Sequence, residues 1–180
     1  YIGDWSSDVC SSDLPALAGS QAVEDFKAGF ALDGMTRDAG WRFLSIGRRL
    51  ERLAFSCLSL LTAIDAGRGS GITWLLELAD SSITYRSRYM ARPQWLAVLD
   101  LLALDESNPR SLAFQVKGIA DYLERLAKAL GPCGGDAFAG LRQRFGDFDP
   151  MRDLAQGSDA LMQLVQAVGQ ASMTLADELG

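Results

Sequence analysis

The 180-residue chain has no His, only three Lys and only three Cys, and each scarcity removes a class of chemistry. Without His there is no Ser-His-Asp or Cys-His triad, no HExxH zinc helix and no c-type haem ligation within this sequence. Cys10, Cys57 and Cys133 form an odd count without CxxC spacing, so they outline neither a zinc site nor a disulfide framework. A reducing, cytoplasmic setting is expected on that basis. No apolar run approaches the length needed to span a bilayer. Basic residues are outnumbered, 17 Lys+Arg against 23 Asp+Glu, and the net charge of −6 argues against a nucleic-acid or anionic-membrane surface. What the chain does have is 48% apolar residues, enough for a one-domain core. It also has 14 Arg, the cation suited to planar, bidentate pairing with carboxylates or phosphates.

Residues 1–14, YIGDWSSDVCSSDL, contain Ser-Ser-Asp twice, follow neither helical nor strand periodicity and differ from the Ala/Leu/Arg-rich remainder. This segment resembles the translation of a common short-read sequencing adapter, and it is set aside as non-native. The division of the chain is therefore 1–14 as an adapter-like segment and 15–180 as helical domain. Removing three Asp with the first segment takes the net charge from −6 to −3. The sequence does not begin with Met, and the expectation is that the native N-terminal portion is missing.

Helical periodicity organises the rest. A short amphipathic stretch covers 22–32, after which Thr36 can cap a long helix. Phe43, Ile46, Gly47, Leu50, Leu53, Ala54, Cys57, Leu61 and Ile64 recur along it at steps of three and four, predicting one buried stripe. Gly67, Gly69 and Gly71 stop it, a second helix is expected over 72–90, and Pro93 precedes a third over 95–104. Asn108 suits an N-cap and Pro109 the first position of the next helix. That helix carries Leu112, Val116, Ile119, Leu123, Leu126 and Leu130, the most regular seam in the sequence. A shorter helix is expected over 137–145, Asp149-Pro150 repeats the cap-plus-Pro signal, and the last helix spans 160–179. No stretch alternates with period two, so the fold class is all-α: an antiparallel bundle of about six to seven helices without a sheet. Trp41, Trp74 and Trp95 are expected to fill its core, and Cys57 to be a small core residue.

Polar residues concentrate in three places. Residues 33–52 hold Arg37, Asp38, Arg42, Arg48, Glu51 and Arg52 at helical spacings that allow pairs beside the apolar stripe. Residues 77–89 add Asp80, Tyr85, Arg86 and Arg88, with polar groups on all sides of the helix, a pattern that predicts a place inside the bundle. Residues 104–115 bring Asp105, Asn108, Arg110 and Gln115 to a helix start, where a cation such as Arg110 opposes the helix dipole and calls for Asp80 or Asp105 as partner. No carboxylate pair is marked as acid and base, and no Ser, Thr or Cys has an adjacent base. The GRGSG at 67–71 lacks the strand and Lys of a phosphate loop.

Three stretches, DGMTRDAGWRFL running on to GRRLER within 33–52, LELADSSITYRSRY at 76–89 and LDESNPRSLAFQ at 104–115, together resemble the alpha-E domain family. It is a bacterial all-helical family named for a Glu-Arg motif, matched here by Glu51-Arg52. The resemblance covers roughly 33–130 and extends loosely to the C-terminus, without the family's N-terminal portion. Members are typically encoded beside, or fused to, a circularly permuted ATP-grasp protein and near a transglutaminase-like protease. The resemblance thus implies an accessory of an ATP-grasp amidoligase in peptide or protein modification, and no cofactor is expected. Two other readings stand beside it. In one the domain is an enzyme, with Glu51, Asp80 or Asp105 as acid or base and Arg42, Arg86 or Arg110 as clamps. In the other the polar residues form a purely structural network that fixes helix register.

Overall fold

The computed structural model describes residues 34–66, 71–90, 92–132, 134–154 and 159–179. The adapter-like segment, the amphipathic stretch 22–32, Gly67, Gly69, Cys10 and Cys133 lie outside the described residues. The chain separates into two units, Tyr1–Leu44 and Ser45–Gly180. In the first, the N–H of Trp41 donates to Asp38 Oδ1 at 3.0 Å, so Asp38, not Thr36, caps helix α1 (Ala39–Asp65). The Arg37 guanidinium lies 4.2 Å from the centroid of the Trp41 ring.

The second unit is an all-helical bundle, and among the described residues there is no strand. Its helices are the remainder of α1, then α2 (Ile72–Leu78), α3 (Ser82–Tyr89), α4 (Trp95–Leu99), α5 (Leu112–Leu130), α6 (Asp136–Asp147), α7 (Pro150–Asp153) and α8 (Asp159–Leu179). α6 packs on both α5 and α8. The α5 seam is buried from Leu112 through Leu126, whereas Leu130 at the helix end is exposed. Leu161, Leu164, Val165, Val168 and Leu175 of α8 are all buried, as their spacing requires. Each such side chain contributes roughly 1.5–3 kcal/mol by leaving water. Asp149 caps α7 by accepting from the Met151 N–H at 2.9 Å, with Pro150 at the first turn.

Several elements differ from expectation. The buried edge of α1 is Ile46, Leu50, Leu53, Cys57, Leu60 and Ala63, while Gly47 and Ala54 are exposed and Leu61 and Ile64 half-buried. The apolar residues of α1 form a wider band than its neighbours cover. The helix expected over 72–90 is two helices, because the chain leaves α2 through a left-handed residue, Asp80, at φ 47°. The Ser81 N–H returns to the Leu76 carbonyl at 2.8 Å and the Asp80 N–H to Glu77 at 3.0 Å, a Schellman ending with Asp where Gly is usual. The helix expected over 95–104 begins as α4 and passes into a π-helical turn, Asp100–Leu104, in which the Asp105 N–H reaches the Asp100 carbonyl at 2.9 Å. The extra residue keeps Leu99, Leu101, Leu102 and Ala103 all buried. Of the three tryptophans among the described residues, Trp95 alone is a core residue, since Trp74 is 47% exposed and Trp41 half-buried. No helix among the described residues is long and apolar enough to cross a membrane.

Candidate functional site

The seven residues between the π turn and α5, Asp-Glu-Ser-Asn-Pro-Arg-Ser at 105–111, hold Asp105, Asn108 and Arg110 and draw Arg88, Asp80 and Gln115 to them by hydrogen bonds. Their geometry begins with Asp105. Its Oδ1 accepts the N–H of Ser107 at 2.9 Å and the Ser107 hydroxyl at 2.7 Å, closing a local turn. Its Oδ2 pairs with the Arg88 guanidinium of α3, which also donates to the Ser107 hydroxyl at 3.2 Å. Burial pushes the Asp105 carboxyl up, but Ser107 and Arg88 together hold it below the ordinary carboxylate range.

Asn108 is 3% exposed and makes two further connections. Its Nδ2 donates to the Leu101 carbonyl in the π turn at 2.8 Å, and its Oδ1 accepts the Arg110 N–H at 3.1 Å. The expected capping role falls instead to Ser111, whose hydroxyl accepts the Phe114 N–H at 3.1 Å while donating to the Asp105 carbonyl at 2.6 Å. The helix therefore starts at Leu112, three residues later than the Asn108-Pro109 signal suggested. Arg110 precedes the helix, and of its two candidate partners it takes Asp80, at 2.6 Å. That pair is largely exposed and fixes the α2–α3 break only weakly.

Gln115, 1% exposed, is held at both ends of its amide. Its Nε2 donates to the Pro109 carbonyl, so its Oε1 is left facing α1, where it accepts Arg49 Nη1 at 2.7 Å. Arg49 was not among the residues singled out from the sequence. Its guanidinium carbon sits 5.3 Å from the Phe114 ring centroid and 5.4 Å from that of Tyr122, over Gly118. A Cβ at Gly118 would stand 2.6 Å from that carbon, so the glycine makes room for the cation. Phe114, Gln115, Gly118 and Tyr122 share one face of α5 at steps of one, three and four. A glycine on that face was the available signal.

The remaining predicted residues are dispersed. Arg37 and Asp38 serve the start of α1, and Arg42 is half-buried in the same unit. Arg48 is half-buried, and the Glu51-Arg52 pair stands exposed on α1. Tyr85 is buried at 1% and accepts the Gln94 N–H at 3.0 Å. Arg86 and Arg88 are exposed, as are Ile83 and Met90, so α3 lies at the surface and not inside the bundle. Arg88 ties it to the 105–111 turn, Tyr89 donates to Asp100 of the π turn at 3.2 Å, and Tyr85 holds residues 92 and 94. Among the described residues no group of three or more Cys, Asp or Glu is placed to hold a metal ion. Burial pushes the Cys57 thiol up to about 12, leaving it protonated and unreactive at neutral pH.

What this arrangement does chemically is to join α3, the π turn and α5 through one short loop, with α1 tied on by the Arg49–Gln115 bond. The comparisons with other proteins fit such a helical framework. Residues 21–180 match the family called Alpha-E, described as a predicted alpha-helical domain with a conserved ER motif. Uncharacterized proteins of Mycobacterium bovis and of two strains of Mycobacterium tuberculosis are each 29% identical over 135 residues. The matched stretch covers 72% of this chain and 15% of each mycobacterial protein, so the chain spans only a small part of those relatives. No solved structure matches.

Proposed function

The chain belongs to the Alpha-E family, and from that premise we propose that it is a non-catalytic helical accessory domain whose polar residues lock helix junctions. One observation carries the reading: Asp105, the most enclosed carboxylate of the acid–base candidates, is occupied by Arg88 and Ser107 and held ionised. A general acid or base working near neutrality needs the opposite shift. Asp80 and Glu51, the other candidates, are exposed, and Asp80 pairs with Arg110. The network of Asn108, Ser111 and Gln115 is directed at backbone carbonyls and amides, the chemistry of structure.

The partner in this proposal is an ATP-grasp amidoligase, the neighbour implied by the family resemblance, acting on peptides or proteins, with a transglutaminase-like protease in the same system. In the mycobacterial relatives the matching region is a small part of a longer polypeptide, which favours a domain that works beside others. The test is co-purification of the full-length protein with the neighbouring ATP-grasp product in the presence of ATP and Mg²⁺. Stable association, with ligase activity retained when Glu51→Gln and Asp105→Asn are introduced, is the expected result. Failure to associate removes the partner, and a 100-fold loss of reaction in either folded variant would restore the enzyme reading.

A further inference from the structure

A cavity of about 480 Å³ lies where the chain leaves α3, lined among others by Thr73, Ser82, Tyr85, Arg86, Arg92 and Pro93. Two local features build it. Met90 caps α3 in the left-handed conformation, φ 47°, and turns the chain back on the helix. The buried Tyr85 hydroxyl then accepts the Gln94 N–H at 3.0 Å and donates to the Arg92 carbonyl at 3.4 Å. This clasp holds the returning segment against α3, so Arg92 and Arg86 line the same space.

The charge of that space is unbalanced. Arg88, Arg110, Arg142 and Arg152 each pair with an Asp. Arg86 and Arg92 make no ion pair among the described residues, and no Asp or Glu lines the cavity. Two cations facing one hollow concentrate positive potential there in a chain of net charge −6. Thr73 and Ser82 also line the hollow, beside Leu76 and Pro93. The volume falls within the range of small-molecule pockets and exceeds what a lone ion fills.

We propose that this cavity is a binding site for an oxyanion, a phosphate or carboxylate group carried on a small molecule or a peptide, with Arg86 and Arg92 as its cationic walls. Guanidinium groups engage such anions through paired in-plane N–H donors, which a lone Lys does not offer. The site is separate from the 105–111 junction, and it stands whether or not the accessory reading does.

Titration of the whole chain with inorganic phosphate and with glutarate, at ionic strength matched with chloride, tests this by two-dimensional NMR and calorimetry. The expected result is saturable binding of at least one probe, with shifts centred on the amides of Ser82, Arg86 and Arg92. Saturation by phosphate alone identifies a phosphate site, and saturation by glutarate alone a carboxylate site. Arg86→Gln and Arg92→Gln should each weaken binding about tenfold or more, with the helical melt unchanged because both residues are exposed and make no ion pair among the described residues. Tyr85→Phe, which loosens the clasp and keeps both cations, should weaken it as well. Absence of saturable binding by either probe, or undiminished binding in the folded double Arg variant, would overturn the proposal.

Discussion

Arg49 on α1 donates from Nη1 to Oε1 of Gln115 on α5 at 2.7 Å, a bond between residues 66 apart in sequence. Its acceptor is oriented because the other end of the same amide is bound to the Pro109 carbonyl. The cation is half-buried between two aromatic rings with a neutral acceptor, and the space it occupies exists because residue 118 has no side chain.

Gly118→Ala should therefore act in opposite directions in two backgrounds. Helix propensity alone favours Ala by about 0.8–1 kcal/mol. In the natural chain the new methyl displaces the Arg49 guanidinium and disrupts a charged hydrogen bond worth about 1.5–3 kcal/mol. Net destabilisation of about 1 kcal/mol is expected. In an Arg49→Ala background the same change should stabilise by up to about 1 kcal/mol. Urea denaturation of the four proteins gives the cycle, and equal effects in both backgrounds would show that Arg49 does not use the space at Gly118.

Asn108→Leu removes the donor to the Leu101 carbonyl and the acceptor for the Arg110 N–H in a position that is 3% exposed. Leaving one buried backbone group unpaired costs about 1–3 kcal/mol. A loss of about 2–3 kcal/mol is expected, with faster amide exchange confined to the π turn and the start of α5. A change under 0.5 kcal/mol in chemical denaturation would mean that the π turn does not depend on this side chain.

Acid stability should report the Arg88–Asp105 pair. The Asp105 carboxyl is held below its ordinary value of 3.8 in the folded chain, so the unfolded chain binds more protons as pH falls through that region. Its contribution is fully present above about pH 5 and is lost as pH drops through 3.8 toward the lower folded value. Asp105→Asn should lower stability at pH 7 and flatten the dependence between pH 5 and 3. Parallel curves for the two proteins over that range would contradict the assignment.

Cys57 should resist alkylation while the chain is folded. It is 4% exposed, and burial pushes its thiol up to about 12, so little thiolate exists at pH 8. Peptide mass spectrometry after iodoacetamide treatment is expected to find this site unmodified in buffer and fully modified in denaturant. Rapid labelling without denaturant would place the α1 core edge in solvent.

The helical class, the α5 seam, the α8 face and the Asp149-Pro150 start were legible because they are local. Each depends on residues three or four apart, and the buried Leu112, Val116, Ile119, Leu123 and Leu126 lie where that spacing puts them. The break at Asp80 was not legible, because neither Gly nor Pro marks it and the left-handed residue is an Asp. Nor was the cap at Ser111, since Asn108-Pro109 is an equally good local signal and Asn108 is drawn to the Leu101 carbonyl instead. For the polar cluster, composition pointed to Arg pairing but chose partners incompletely. Asp105 and Arg110 were grouped together, yet each pairs with another segment, Arg88 and Asp80 respectively.

The amino-acid sequence by itself determined that this chain is helical, that it lacks His-dependent templates and that its Arg-rich stretches belong together in a recognisable pattern. Only the tertiary structure decided which cations are paired and which face an open cavity, and that Arg49 lies over Gly118. Helix periodicity is fixed by bonds spanning four residues, whereas ion pairing depends on distances set when separate helices pack. A partner 17, 30 or 66 residues away is specified by that packing and by no local spacing.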